Sequence, residues 1–444
     1  MTRPIPMVAV VAVAFAISAA SLRAQAGSAA PDSGGTSPSG VLLLDTVVAQ
    51  ALRHNDRALA VRYMEEAAKA RIGPAGAWDD PMLMVGVANL PTSFDFREDG
   101  MTMEMLGLSQ SIPYAGQKGL QAKAAAADAA VAGEDRRQVQ LDLITAAKSA
   151  YFDLYYRRLT LADLRGQHAL LEQVALAARA KLTTGLANQE DVAAAEADVA
   201  RLGAEILAAE QTIDEASYNL NALRGVDSAS PAPALADPPM PIVPDSVAPW
   251  LAAAMAHYPP LRRLEHQAEG YGLSAAAARR MQWPMLNLQA TYGLRQDTPS
   301  ERRDVVGVQA TLSLPVFAGR QQGQMARAML AMQRSVDADA AQLWRETEAT
   351  LRTLHRRAVR LAASLSLYNE RIIPAAQEAY ESAFAGYSVD RTPFIALLSY
   401  ATAIYRDRIM AQKIANELAR TAAEAERYTT DADLLPAVRA TRTR

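Results

Sequence analysis

The chain of 444 residues contains no cysteine. That removes disulfides, zinc–thiolate sites, nucleophilic thiols and acylation of an N-terminal cysteine together. Long apolar runs are also missing. After the stretch from Pro6 to Ile17 nothing reaches the length of a membrane-spanning helix, so any entry into a bilayer has to use strands. Basic clusters are absent and the formal net charge is −3, which argues against nucleic acid as a partner. Framing motifs for catalysis are lacking as well: no nucleophile elbow surrounds a serine and no glycine-rich loop cradles a phosphate. The five histidines, His54, His168, His257, His266 and His355, are scattered. His266 and Glu269 stand three apart, but one such pair without a second is not a metal site. No enzyme and no cofactor are expected.

Proline is missing from residues 117–184, and this absence is constructive. The segment opens on an alanine-dense stretch (Ala122, Ala124 to Ala127). It continues with Leu141, Ile144, Tyr151, Leu154, Leu161, Leu164, Leu171 and Val174 at helical spacing. One helix of that length would be roughly 100 Å long. It can be buried only along equally long partners, in a coiled coil or a tube of helices.

In chain order, residues 1–26 have the form of a secretory signal: Arg3, an apolar run, and an Ala24-Gln25-Ala26 cleavage site. Residues 27–40 form a Ser/Gly/Ala/Pro lead-in. A first unit covers 41–227, with a helix starting at Asp45, strands at 81–90 and 101–113, a long helix at 117–184, a tip at 181–189 and a returning helix. The proline-rich segment 228–244 can extend neither helix nor sheet and reads as a linker. A second unit covers 245–427, with strands at 284–294 and 304–315, a long helix at 320–386 and a tip at 385–393, before a tail at 428–444. His54 and His257, Pro81 and Pro284, and Gly116 and Gly319 each stand 203 residues apart, and Gly185 and Gly386 stand 201 apart. Such constancy is an internal duplication. The expected fold is mainly α with a small β part.

Four strands cannot close a barrel in lipid, whereas three chains supply twelve. In 305–314 Val306, Val308, Ala310, Leu312 and Leu314 share one face, suited to lipid, and Gly307, Gln309, Thr311 and Ser313 share the other, suited to water. Tyr114, Trp283, Tyr292 and Phe317 near strand ends would form an aromatic girdle. If parity carries over at the repeat offset, Leu83, Val85, Leu106 and Leu108 face outward. Met82, Met84, Met101, Met103 and Met105 then face the lumen, where thioethers suit Cu(I) or Ag(I). The competing reading is that methionine fills irregular space in a narrowing barrel, or that the parity is reversed.

At the tips, Gly185 and Gly386 are expected to be left-handed turn residues. Leu186, Tyr387 and Val389 read as exposed apolar residues there, suited to a partner surface. His54 and His257, equivalent in the repeat, mark a helix break and a structural role. Arg157-Arg158 and Arg356-Arg357 also recur, as solvated helix surface or inter-helix pairing.

With its duplication, its Ser109-Gln110-Ser111-Ile112-Pro113 and Leu312-Ser313-Leu314-Pro315-Val316-Phe317-Ala318-Gly319 turns and its helix lengths, the whole mature chain resembles the TolC-like outer membrane efflux proteins. Asp80-Pro81-Met82, Asn89-Leu90-Pro91 and the run from Met103 to Gln110 are most similar to the CzcC/CusC-like cation-efflux branch. The resemblance implies a homotrimer with a twelve-stranded barrel in the outer membrane, a periplasmic α-helical tunnel and an equatorial region that includes 228–244. It further implies a periplasmic adaptor protein docked at the tips, an inner-membrane pump of RND type, and charged residues, here Asp390 and Arg391, at the aperture. Unlike many members this chain has no cysteine to lipidate, so the barrel would anchor it. The function implied is a passive duct, with heavy-metal cations as cargo. A drug or type I secretion duct, and a non-pore periplasmic coiled-coil interaction protein, are the alternatives. Alternating strands at the same place in both repeats speak against the last.

Overall fold

The computed structural model describes residues 40–431 except 97, 186–187, 232–233 and 296–303. The expected signal segment, most of the lead-in, Leu186 and most of the tail lie outside the described residues. Each half of the chain repeats one order of elements. The first half runs α1 (Leu44–His54), α2 (Asp56–Ala70), α3 (Ile72–Gly76), β1 (Met82–Ala88), β2 (Met103–Ile112), α4 (Gln117–Thr183) and α5 (Gln189–Arg224). The second half runs α6 (Ala248–His257), α7 (Pro259–Arg280), β3 (Leu286–Arg295), β4 (Val305–Leu312), α8 (Gln322–Leu367), a π-turn (Tyr368–Ile372), α9 (Ile373–Ser388) and α10 (Phe394–Thr429).

α4 is a single helix of 67 residues, as its unbroken periodicity requires. Gly116, at φ +83°, turns the chain out of β2 and into it, a conformation that costs a glycine little. The buried residues Leu141, Ile144, Tyr151, Leu154, Leu164, Leu171, Val174 and Ala178 follow one stripe along the helix. α1, α2, α3, α5, α7 and α10 all pack against it. A row α2–α4–α7–α8 forms next to the sheet. Gly166 makes one close crossing possible, because a Cβ there would stand 2.9 Å from the Tyr405 ring of α10.

The second long helix departs from the expected single run over 320–386. It changes to π geometry at Tyr368–Ile372 and resumes as α9 with a proline in its first turn. That residue, Pro374, has no N–H to donate, and its ring would clash with the carbonyl four residues earlier in an α-helix. One widened turn accommodates it while the helix continues.

Among the described residues three apolar clusters hold the helices together, the smallest around Ala254, Tyr258, Leu261 and Leu351. The largest joins α1, the middle of α4 and the end of α10 through Val47, Leu141, Tyr151, Leu154, Leu418 and Ala423. The second joins both hairpins at the far end through Leu171, Val174, Ala195, Tyr387, Phe394 and Leu397. Ion pairs run along the seams between helices: Arg136–Glu65 (2.6 Å), Arg427–Asp142 (2.6 Å) and Arg263–Asp135 (2.8 Å). Arg357 of the recurring arginine pairs meets Glu417 of α10.

The linker after α5 contributes no strand, but it does make one parallel bridge, Leu235 with Leu42, against the expectation that it could extend no sheet. Its proline-free stretch Ala234-Leu235-Ala236-Asp237 leaves backbone N–H groups for pairing: Leu42 N–H donates to Ala234 O (2.7 Å) and Ala236 N–H to Leu42 O (3.1 Å). Tyr151 on α4 fastens both bridged segments, since its hydroxyl lies 3.0 Å from Leu42 O and 2.6 Å from Ala236 O. Burial pushes this phenol up to about 12. Its stabilising contribution is therefore complete below pH 10 and is lost as pH rises through the folded value. Tyr151→Phe leaves buried carbonyls short of a donor and should lower stability by about 1–3 kcal/mol. Thermal melts checked against pH should show a shallower alkaline decline in that variant than in the parent.

Candidate functional site

The four strands form one antiparallel sheet in the order β1-β2-β3-β4. Their register decides which residues share a face, because residues directly opposite one another point the same way. Val85, Leu106, Tyr292 and Val306 lie in one row across the sheet, and Leu83, Leu108, Ala290 and Val308 in the next. Towards the helices the same face continues through Ile112, Leu286 and Leu312. It is apolar and exposed in the chain alone, with Val85 76% and Val308 81% accessible. The expected parity of the first repeat therefore agrees with that of the second.

On the opposite face Met82, Met84, Met103 and Met105 lie among Ser109, Asn287, Gln289, Thr291, Gln309 and Thr311. Large and small residues alternate there. Met84, Gly107, Thr291 and Gly307 form one row; Gly86, Met105, Gly293 and Val305 form the next. A Cβ on Gly107 would meet Met84 Cε at 3.0 Å, one on Gly293 would meet Met103 Sδ at 2.9 Å, and one on Gly307 would meet Thr291 Oγ1 at 2.6 Å. The glycines leave room for their neighbours' side chains on this face. Met101 is not in the strand as expected. It stands in the turn before β2, held by Asn89 and by Arg295, whose guanidinium is 3.5 Å from its sulfur.

Aromatic residues stand at both ends of the sheet. At the helix end Tyr114 and Trp283 stack with centroids 5.4 Å apart, and Phe317 is exposed. Near the loop end Tyr292 bonds Asp304. Trp78 and Phe94, both exposed, belong to these two levels and went unremarked in the sequence. Their signal was a lone aromatic a few residues outside a strand.

At the tips, Gly185 takes φ +74°, as expected. Gly386 does not. It is helical within α9, and the left-handed residue of the second tip is Asp390 at φ +59°. Gly386 is small for another reason: a Cβ would stand 2.2 Å from Thr392 Oγ1, so the returning chain passes against it. Tyr387 is also not exposed but 6% accessible, packed on Phe394 at 5.9 Å. Burial, first, and the nearby Asp191 and Asp390 raise its phenol pKa, against the Lys181 charge. Val389 is exposed as expected. Lys181, from the last turn of α4, lies 4.2 Å above the Tyr387 ring and bonds both the Tyr387 carbonyl and the Asp390 carboxylate. It thereby ties the two hairpins to each other. The sequence could not pair residues 209 apart.

The histidines match their structural reading, since His54 and His257 are each the last residue of a helix. His266 lies 3.8 Å from Glu269, and among the described residues no three His, Asp or Glu side chains gather in a way that could hold a metal. Lys181→Ala should speed amide exchange in both hairpin tips roughly tenfold and leave the middle of α4 unchanged. Hydrogen exchange read by mass spectrometry checks this.

Neither a family model nor a curated protein matches the sequence. Solved structures do match the fold. The CmeC outer membrane channel of Campylobacter jejuni aligns at TM-score 0.72 and 13% identity over 90% of this chain and 88% of that one. The MtrE outer membrane channel of Neisseria gonorrhoeae, in its open state, aligns at 0.71 and 15% over 87% and 88%. CusC, a protein that forms a transmembrane channel, aligns at 0.72 and 15% over 87% and 91%. The chain therefore has the fold of the TolC-like outer membrane channels: four strands carried on a duplicated set of long helices.

Proposed function

We propose that this chain is the outer membrane duct of a tripartite efflux system, a passive homotrimer without catalytic chemistry. One observation carries the reading. The sheet has an apolar face from Tyr292 down to Leu312 and a polar face behind it, yet β1 and β4 each leave one edge unpaired. Open edges are not tolerated in hydrocarbon, so the sheet has to close with copies of itself. Three copies give twelve strands, with β4 of one beside β1 of the next. The ten residues each of β2 and β3 suffice to cross the apolar layer when tilted. The helical rows support the same assembly. Leu59, Tyr63 and Met64 are exposed on α2 at one edge of the row, and Met325 and Met332 on α8 at the other.

The barrel anchors the protein in the outer membrane without a lipid chain, and the helices form a tunnel through the periplasm. The tips around Gly185, Leu186, Gly386, Tyr387 and Val389 meet a periplasmic adaptor, Val389 supplying exposed apolar surface and Gly386 and Tyr387 the shape beneath it. An inner-membrane pump of RND type delivers the cargo. Asp390 and Arg391 line the aperture, with the Lys181–Asp390 pair holding it closed until the adaptor docks. We assign heavy-metal cations as the cargo, because Met82, Met84, Met103 and Met105 place soft thioethers on the polar face that becomes the lumen, with Met101 at its outer rim.

Val308→Arg puts a charge on the lipid side and should cost about 2–4 kcal/mol of insertion, while Gln309→Arg on the other face should insert normally. Heat-modifiable trimer in outer membrane fractions measures both, and equal insertion of the two would overturn the barrel reading. Loss of the gene should lower tolerance to copper or silver, and replacing the five methionines with leucine should lower it at normal trimer levels. Tolerance lost to hydrophobic drugs alone would leave the duct and remove the metal assignment.

A further inference from the structure

Three arginines stand at the helix end of the sheet. Arg279 and Arg280 occupy the last turn of α7 and Arg320 stands in the turn before α8. All three are exposed, and among the described residues none meets a carboxylate within ion-pair distance. The adjacent Asp79 is taken by Lys118 at 3.2 Å, and Asp80 leaves the rim net positive. The start of α8 lies beside the end of α7, because a Cβ on Gly323 would stand 3.6 Å from Gln282 Nε2.

These charges sit directly below the aromatic residues that end the apolar face. Trp283 follows Arg280 by three residues and stacks on Tyr114 with an interplanar angle of 13°. The Arg280 guanidinium lies 6.0 Å from the centre of the Tyr114 ring, which can orient the cation without neutralising it. Phe317 precedes Arg320 by three residues and is 65% accessible. Going along the chain from the sheet, the surface therefore passes from aliphatic to aromatic to cationic. That order matches the order from acyl chain through carbonyl region to phosphate in a phospholipid leaflet.

We propose that this rim binds the headgroups of anionic glycerophospholipids, with Arg279, Arg280 and Arg320 on the phosphates and Trp283, Tyr114 and Phe317 at the level of the acyl carbonyls. The inference rests on the barrel reading above and adds a lipid chemistry to one end of it. Continuity with the apolar face selects a lipid over a free anion, and charge selects the anionic class. Guanidinium groups engage phosphate oxygens in a planar fork, which gives affinity beyond a diffuse field.

The test uses the purified full-length protein in detergent, titrated with dioleoyl phosphatidylglycerol or dioleoyl phosphatidylcholine and read by native mass spectrometry. The parent should retain phosphatidylglycerol about tenfold more readily than phosphatidylcholine. Arg279→Gln/Arg280→Gln/Arg320→Gln should lose that preference, and Arg320→Gln alone, on an exposed turn, should reduce it several-fold. Raising salt should weaken the parent's preference, and inorganic phosphate at the same ionic strength should weaken it no further. The parent and both variants should insert equally into pure phosphatidylcholine vesicles. An undiminished preference in the variants, or none in a parent that inserts normally, would overturn the headgroup assignment alone. Failure of the parent to insert into any vesicle would overturn the barrel reading and this proposal with it.

Discussion

A helix of 67 residues cannot be buried by a compact core, and this constraint orders the rest of the chain. α4 presents its buried stripe over nearly its full length, so partners are needed at every level. Near the sheet they are α2, α3 and α7; towards the tip they are α5 and α10. The duplication supplies these partners economically, since α8 and α9 with α10 repeat what α4 with α5 does. Ion pairs decorate the seams, but the fixed points are apolar rows such as Leu141, Tyr151 and Leu154.

The middle of the molecule shows how an irregular segment is held on such a scaffold. Residues after α5 lie across the helices and are pinned by side chains that reach out from them: Tyr151 to Leu42 and Ala236, Asn221 to Ser230, and His355 to Pro244. Backbone groups that make no ladder still find donors and acceptors. The neighbouring cavity of about 300 Å³, between Tyr155, Tyr156, Asp237, Met240, Asn369 and Gln412, lies where the π-turn widens the second long helix beside this segment.

The two tips look symmetric in sequence and differ in structure for local reasons. In the first, a glycine adopts the left-handed turn. In the second, aspartate does so, a residue that tolerates this region better than most, and its carboxylate reaches Lys181 across the gap. The glycine at 386 is instead required by the close passage of Thr392. A repeat offset drawn from glycine to glycine therefore aligned two residues with different tasks. Likewise Pro374 sits inside a periodic run that reads as one helix, and a single wide turn lets both signals hold.

Periodicity along the chain accounts for most of its elements. Spacing of 3.6 gave α4, alternation gave the strands, and landmarks such as Pro81 and Pro284 gave the repeat, because these depend on neighbours along the chain. Alternation also divided each strand into two faces. It could not say how the faces of different strands match, since that depends on pairing: Leu106 beside Tyr292 and Met84 beside Gly107 follow from the register alone. Burial of Tyr387 was equally beyond reach, because Phe394 and Lys181 come to it from other elements. The sequence by itself determined the length of α4, the duplication and the two-sided character of the strands. Tertiary structure decided which sides align and which tip residues are covered, because both are set by groups far apart in the chain and adjacent only in the fold.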